Sequence, residues 1–296
     1  MHDPVIELAG RPVGPGQPCF VVAEIGINHN GSLTQAQALV DAAVAAGCDA
    51  VKFQKRTVEV VYTPEELARP RESPFGTTNG ELKRALELDE DAYAALDEHC
   101  RRRGIAWFAS CWDEGAVDFI ARFDPPCWKI ASASLTDDHL LAHTRAQGQP
   151  VILSTGLSTE AQIRHAVGVL GERELVVLHC TGAYPAPLPL LNLRCIETLR
   201  RWFPGCPIGY SGHEVGLASS LAAVALGACV VERHLTLDRA AWGSDQAASV
   251  EPQGMARLVK DIRAIEAALG DGAKRVYPEE QPVIAKLRRV DSQGLA

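Results

Sequence analysis

Eight short apolar runs recur along the chain, and an amphipathic stretch follows each of them. Within each run the apolar residues are continuous rather than alternating, which is typical of parallel strands covered on both faces. Eight strand-and-helix units within roughly 250 residues match a closed (β/α)8 barrel, or TIM barrel, better than an open doubly wound sheet. The runs begin at Phe20, Ala50, Ala106, Cys127, Val151, Leu175, Pro207 and Cys229.

We therefore predict one α/β domain over residues 1–296, with the barrel core at about 20–270 and a short tail at 271–296. A cytoplasmic protein without a membrane partner is expected, because no apolar run is long enough to span a bilayer and the N-terminus lacks the features of a secretion signal. The net charge of −8 argues against nucleic acid as a partner. Nine cysteines without a C-x-x-C pair predict reduced, mostly buried thiols.

One connection breaks the regular spacing, since residues 56–88 separate the second strand from its helix. Connections of this length are usually functional or disordered. This one follows the carboxyl end of a strand, on the face where barrel enzymes hold their active sites. We predict that it is a lid, with a mobile insertion as the alternative.

Polar residues interrupt the apolar runs just where the strands should end. Lys52 and Lys129 each lie inside an apolar strand, where an unpaired ammonium group is costly. They could form buried salt bridges to Glu24 or Glu232, or they could join nearby serines in a cradle for phosphate and carboxylate. The full set at the strand ends is Glu24, Lys52, Gln54, Ser110, Lys129, Ser132, Ser154, Ser211, His213, Glu232 and His234.

Two histidines, His213 and His234, end the seventh and eighth strands, which are neighbours in a barrel. Two imidazoles beside a carboxylate such as Glu24 are a common divalent-metal arrangement, although either histidine alone could be structural. His29 and His179 are expected to cap a turn and to be buried, respectively. Cys111 and Cys180 also lie at strand ends, but we expect buried thiols rather than nucleophiles because no activating partner is evident.

Seven motifs of the chain resemble the sialic acid synthase family, and together they cover almost the whole barrel. The resemblance implies a TIM-barrel enzyme that condenses phosphoenolpyruvate with an amino sugar, usually N-acetylmannosamine. The products would be phosphate and a 3-deoxy-2-ulosonic acid. The motifs are AEIGINHNG from Ala23, VKFQ from Val51, KIAS from Lys129, STG from Ser154, LHCT from Leu178, YSGH from Tyr210 and ERHLTLD from Glu232.

The same resemblance implies roles for individual residues. His213 and His234 match ligands of a Mn²⁺ or Mg²⁺ ion, and Glu24, Lys52 and Lys129 match catalytic positions. The sugar-binding positions are Gln54, Tyr184 and Asp245. The phosphoenolpyruvate-binding positions are Lys52, Ser110, Lys129, Ser132, Ser154 and Ser211.

The chain also departs from the family pattern. Ser134 stands where a carboxylate is common, Gly212 where an aspartate is common, and Ala183 where an asparagine is common, while residues 244–246 read SDQ instead of PDH. These changes affect the sugar side more than the phosphoenolpyruvate side. In the family, a C-terminal antifreeze-like domain supplies an arginine to the sugar across a dimer. We do not expect that domain here. In a homodimer an arginine of the tail would have to replace the domain's arginine, and the candidates are Arg275, Arg288 and Arg289.

Three other functions stay open. The chain could make a related ulosonic acid from another aldose. It could be a non-catalytic barrel that binds phosphoenolpyruvate or a sugar, since Ser134 replaces an acid. It could also be a metal-dependent hydrolase or lyase, which would turn over without phosphoenolpyruvate.

Overall fold

A closed barrel of eight parallel strands forms the centre of the molecule in a computed structural model that describes residues 4–290. The strands are β1 (Ile6–Leu8), β2 (Arg11–Val13), β3 (Phe20–Gly26), β4 (Ala50–Lys55), β5 (Pro70–Ser73), β6 (Gly76–Thr78), β7 (Ala106–Cys111), β8 (Trp128–Ile130), β9 (Val151–Ser154), β10 (Leu175–Cys180), β11 (Ile208–Gly212) and β12 (Val230–His234). Around the barrel the order is β3, β4, β7, β8, β9, β10, β11 and β12, and β12 pairs with β3 to close it. The predicted (β/α)8 fold is confirmed, with each apolar run at the position expected.

Helices connect the barrel strands and cover their outer face. They are α1 (Leu33–Ala46), α2 (Val58–Val61), α3 (Pro64–Ala68), α4 (Asn79–Ala85), α5 (Glu90–Arg103), α6 (Glu114–Ala121), α7 (Asp138–Ala146), α8 (Glu160–Leu170), α9 (Cys195–Trp202), α10 (Ala218–Ala225), α11 (Pro252–Leu269) and α12 (Gln281–Leu287). Local sequence sets several of their ends. Helix α1, for example, begins after Ser32, whose side chain accepts a hydrogen bond from the Gln35 amide, and ends at Gly47 in the left-handed conformation.

The interior of the barrel differs between its two ends. Towards the amino ends of the strands it is filled by apolar side chains such as Phe20, Phe108 and Val176. The hairpin β1–β2 closes that end with Leu8 and Val13, both fully buried. Because apolar packing occupies this half, the buried polar residues of the strands are left at the carboxyl ends, where the site forms.

The segment between β4 and α5, predicted to be a lid or a mobile insertion, is folded. It contains α2, α3, the hairpin β5–β6 and α4. Thr78 and Glu81 form a capping box at the start of α4, which explains locally why that helix begins there. Phe75 at the hairpin contacts Trp242 of the loop after β12, with ring centroids 5.6 Å apart. The segment is therefore not an unstructured insertion, and its role as a lid stays a prediction.

The tail after α11 lies largely exposed. Val283 and Leu287 of α12 are both more than half exposed, and Arg275 pairs with Asp271 inside the tail itself. Within residues 4–290 no helix is long and apolar enough to cross a membrane.

Candidate active site

A cavity of about 200 Å³ opens at the carboxyl ends of the barrel strands. Every residue predicted to bind phosphoenolpyruvate or metal lines it, and so do Gln54 and Tyr184 of the predicted sugar set. Asp245 stands beside the cavity, with its Oδ2 atom 3.8 Å from His234 Nδ1. The predicted residues lining it are Glu24, Lys52, Gln54, Ser110, Lys129, Ser132, Ser154, Tyr184, Ser211, His213 and His234.

Two lysines and two glutamates form a buried charge cluster on the cavity floor. Lys52 Nζ lies 3.3 Å from Glu24 Oε2 and 3.1 Å from Glu232 Oε1. Lys129 Nζ lies 3.4 Å from the same Glu232 oxygen. All four side chains are at most 4% exposed. The salt bridges considered above are thus present, and the paired lysines still line the cavity.

The environment separates the acidities of the two glutamates. Burial raises the pKa of Glu24 to about 7, against the opposing effect of Lys52. Burial acts in the same direction on Glu232, but Lys129 and Lys52 outweigh it and lower its pKa to about 2. Burial also lowers the pKa of Lys129, against the nearby Glu232 carboxylate. Glu232 therefore holds its negative charge near neutral pH, while Glu24 can gain or lose a proton there.

Four serine hydroxyls surround this cluster in different hydrogen-bonding states. Ser110 accepts a bond from Lys52 Nζ at 3.0 Å, and Ser211 donates to Glu232 Oε1 at 3.2 Å. Ser132 accepts from the Gly156 amide at 3.0 Å, which leaves its hydroxyl proton free to donate. The buried Ser154 hydroxyl has no hydrogen-bond partner among residues 4–290. Ser132 and Ser154 can therefore donate to oxygens of a bound anion.

The two predicted metal ligands face each other across the cavity, with ring centroids 5.3 Å apart. Burial lowers the pKa of both His213 and His234 to about 3, so both imidazoles are neutral, as metal ligation requires. His213 Nδ1 lies 2.9 Å from the Thr181 carbonyl oxygen, which assigns a proton to Nδ1 and leaves Nε2 as the free lone pair. His234 Nδ1 is buried without a hydrogen-bond partner in the described part of the chain.

A metal at this pair would draw few of its ligands from the protein. Across residues 4–290 no group of three or more His, Cys, Asp or Glu side chains is arranged to hold an ion. Two neutral imidazoles with water or substrate oxygens would still suit a hexacoordinate divalent ion. The buried Nδ1 atom of His234, which has no hydrogen-bond partner among residues 4–290, fits a ligand to such an ion.

Tyr184 forms the exposed wall of the cavity beside these histidines. Its ring stacks on His213, with centroids 4.0 Å apart, and meets His234 edge to face at 5.7 Å. The side chain is about half exposed, so it borders the mouth of the cavity. On the opposite wall Gln54 Nε2 donates to Glu24 Oε1 at 3.0 Å.

Sequence reasoning missed part of the lining. Glu232, the shared partner of both lysines, was noted at a strand end but not assigned to the site. The period of a strand could have found it, because residues two apart, here Glu232 and His234, point to the same side. Trp112 and Leu157 also line the cavity, and they carry no comparable signal because both lie in loops after strands.

The remaining sequence predictions can now be located. His29 is buried, with Nδ1 accepting from the Gly31 amide at 3.0 Å, and His179 Nε2 lies 2.6 Å from the Leu191 carbonyl. Cys111 and Cys180 are buried thiols whose pKa is raised by burial, as expected for residues that are not nucleophiles. Ser134 is buried but does not line the cavity.

Known proteins resemble this chain over most of its length. Residues 39–274 match the NeuB family. The human N-acetylneuraminate-9-phosphate synthase is 42% identical over 283 residues, covering 94% of this chain and 79% of that protein. The N,N'-diacetyllegionaminic acid synthase of Legionella pneumophila is 37% identical over 289 residues, covering 94% and 81%.

A solved structure is similar over the full fold. The N-acetylneuraminic acid synthetase of Leptospira borgpetersenii, in complex with citrate, superposes with a TM-score of 0.85 at 30% identity, covering 98% of this chain and 99% of that one. Phosphoenolpyruvate-dependent condensation is the general reaction of these synthases, and the chain is an enzyme of that transferase type. By sequence and by fold, this chain belongs to the NeuB family.

Proposed function

We propose that this cavity condenses phosphoenolpyruvate with N-acetylmannosamine or a related amino sugar, giving a sialic-acid-type 3-deoxy-2-ulosonic acid and phosphate. The observation that carries the proposal is the meeting of two buried lysines, four serine hydroxyls and two neutral histidines in one cavity. Buried lysines suit a doubly anionic donor, and neutral imidazoles suit a cation beside it.

The donor would take over contacts that the lysines now make with acids. Lys52 and Lys129 would face its phosphate and carboxylate groups, while Ser132 and Ser154 donate hydrogen bonds that fix its orientation. Two carboxylates face two ammonium groups in this cavity. A bound donor adds negative charge, which the Lys52 and Lys129 ammonium groups would then share with Glu24 and Glu232.

His213 and His234 would hold the divalent ion, Mn²⁺ or Mg²⁺. Their neutral state and the free Nε2 atom of His213 fit this role. When bound, such an ion supplies a Lewis acid that polarises a carbonyl oxygen. The Thr181 carbonyl would keep the His213 ring in its ligating orientation by accepting the Nδ1 proton.

In the proposed reaction the enol carbon C3 of the donor forms a bond to the aldehyde carbon of the sugar. Carbon C2 of the donor then gains cationic character and is attacked by water. The Glu24 carboxylate orients that water and accepts its proton. Phosphate leaves as the bond between C2 and the bridging oxygen breaks, and it takes the electron pair. The C2 hydroxyl group loses its proton to the departing phosphate, which gives the ketone, and the former aldehyde oxygen takes up the proton that Glu24 accepted from water.

The sugar would occupy the mouth of the cavity, between Gln54, Tyr184 and Asp245. Tyr184 is half exposed there and offers a flat apolar face with a hydroxyl group. The two relatives compared above are named for different products, an N-acetylneuraminate phosphate and a diacetyllegionaminic acid. A synthase for a different ulosonic acid, made from another aldose, is therefore the alternative within the same reaction class.

The test is phosphate release from phosphoenolpyruvate with Mn²⁺ across a panel of aldoses that includes N-acetylmannosamine. We expect release that depends on one sugar and is lost in Lys129→Ala and His213→Ala. Lys55→Ala is the matched control, because Lys55 ends the same strand as Lys52 but pairs with Glu87 outside the cavity. Donor binding without release for any sugar would favour a non-catalytic barrel, and turnover without phosphoenolpyruvate would favour a metal-dependent hydrolase or lyase.

A further inference from the structure

A second buried polar cluster lies behind the cavity, on the outer face of β11 and β12. Arg233 Nη1 lies 2.9 Å from Glu214 Oε1, and these side chains are 1% and 0% exposed. Ser220 on α10 donates to Glu214 Oε1 at 3.1 Å, and Tyr210 donates to Glu214 Oε2 at 2.8 Å. Both carboxylate oxygens of Glu214 are therefore satisfied inside the protein, and none of these four residues lines the cavity.

The cluster is attached directly to both histidines of the proposed metal pair. Glu214 follows His213 in the chain, and Arg233 precedes His234. Because side chains alternate along a strand, an outward Arg233 places His234 inward. The guanidinium group also donates to two backbone carbonyl oxygens of the loop after His213, those of Glu214 at 2.6 Å and Gly216 at 2.9 Å. The side chain of Arg233 on β12 thus fixes the loop that follows His213.

We propose that Glu214 and Arg233 are positioning residues that set the spacing of His213 and His234 for a divalent ion. This inference rests on the metal pair of the proposed function. The planar guanidinium binds a carboxylate and two carbonyls at once, so it fixes direction as well as distance. Neither residue lines the cavity, so their effect would pass through the backbone on either side.

The packing around Gly212 supports this assignment. A Cβ atom on Gly212 would lie 2.6 Å from Glu214 Oε2, 2.7 Å from a ring carbon of Tyr210 and 3.0 Å from Arg233 Cδ. The Glu214 carboxylate thus occupies the space that a side chain at position 212 would need. Gly212, which stands where the family commonly has an aspartate, is therefore required here. The acid that faces Arg233 is Glu214.

The experiment measures Mn²⁺ binding to the metal-free, full-length protein by electron paramagnetic resonance. The variants are Glu214→Gln, which removes the charge but keeps the shape, and Arg233→Lys, which keeps the charge but removes the planar fork. We expect each to raise the Mn²⁺ dissociation constant by about 10- to 100-fold. Phosphoenolpyruvate binding without metal should change less than about twofold.

A matched control separates positioning from stability. Glu266→Gln breaks a partly buried pair with Arg263 near the amino end of the barrel, where Glu266 also accepts a bond from the Cys19 amide. It should lower the melting temperature while leaving the Mn²⁺ dissociation constant unchanged. A purely structural role for Glu214 and Arg233 predicts the same behaviour for their variants.

The outcomes distinguish failure of the positioning role from failure of the proposed metal pair. If wild-type protein binds Mn²⁺ and His213→Ala does not, but a folded Glu214→Gln or Arg233→Lys variant binds within twofold of wild type, the positioning role is overturned and the metal pair stands. If wild-type protein binds no Mn²⁺, the metal pair itself is wrong and the positioning role fails with it. Arg233→Lys decides the question if Glu214→Gln does not fold.

Discussion

The two halves of the cavity are built differently. The half proposed for the donor consists of strand residues that are nearly fully buried and connected to one another, with Lys52 joined to Glu24, Ser110 and Glu232. The half proposed for the sugar consists largely of loop residues, namely Tyr184, which is half exposed, and Asp245, which stands beside the cavity. The groups proposed to bind the donor are thus held by the barrel strands, whereas those proposed to bind the sugar lie mostly on connections, which can vary without disturbing the barrel.

The largest expected effect is on the donor half. Lys129→Ala should lower kcat/KM for phosphoenolpyruvate by about 10³-fold, because a buried cation facing the donor is lost and Glu232 keeps only Lys52. Steady-state kinetics with the preferred aldose measures it. A loss below tenfold would mean that this half is not the donor site.

Removal of divalent ions should cause the next largest loss of activity. Dialysis against a chelator should lower activity by about 100-fold or more, since a Lewis acid contributes several kcal/mol of barrier lowering. Addition of Mn²⁺ or Mg²⁺ should restore it in wild type but not in His213→Ala. Full activity after verified metal depletion would remove the histidine pair from the mechanism.

The pH dependence should report Glu24. Its pKa is raised to about 7 and the carboxylate is the active form, so activity should fall as pH drops through about 7, by about tenfold per unit below it. The two histidines cannot cause this loss, because their pKa values near 3 keep them neutral over the range. Glu24→Gln should give a low, flat profile. An unchanged acidic limb in that variant would assign the titration to another group.

A smaller effect is expected at the sugar half. Tyr184→Ala should raise KM for the sugar by about tenfold, because it removes an aromatic wall of the mouth. KM for phosphoenolpyruvate should stay within twofold, since the strand residues are untouched. Initial rates measured over a grid of both substrate concentrations give the two KM values. Equal increases in KM for the sugar and for phosphoenolpyruvate would contradict the proposed division of the cavity.

The smallest effect should come from the contact between the folded segment after β4 and the loop after β12. Phe75→Ala removes its ring contact with Trp242 and should raise KM for the sugar about two- to threefold if the segment acts as a lid. Val60→Ala, at an exposed position in the same segment, is the control. Identical kinetics for both variants would leave the segment without a lid function.

The sequence predicted the barrel and most of the cavity for the same physical reason. Continuous apolar runs mark strands buried on both faces, so a charged residue inside one, such as Lys52 or Lys129, can be placed at the site from its position alone. The folded segment after β4 was not predicted, because its short helices and hairpin lack the length and periodicity that identify an element. The pairing of Glu214 with Arg233 was also missed, since it joins outward side chains of two strands and leaves no local pattern.

The central claim is tested most directly by following an oxygen label. Phosphoenolpyruvate carrying ¹⁸O at the bridging position between C2 and phosphorus is incubated with Mn²⁺, the preferred aldose and the enzyme, and the products are analysed by mass spectrometry. Cleavage of the C–O bond during condensation predicts that the label appears in phosphate and that a 3-deoxy-2-ulosonic acid forms in equal amount. Unlabelled phosphate, or labelled phosphate without that product, would contradict the account.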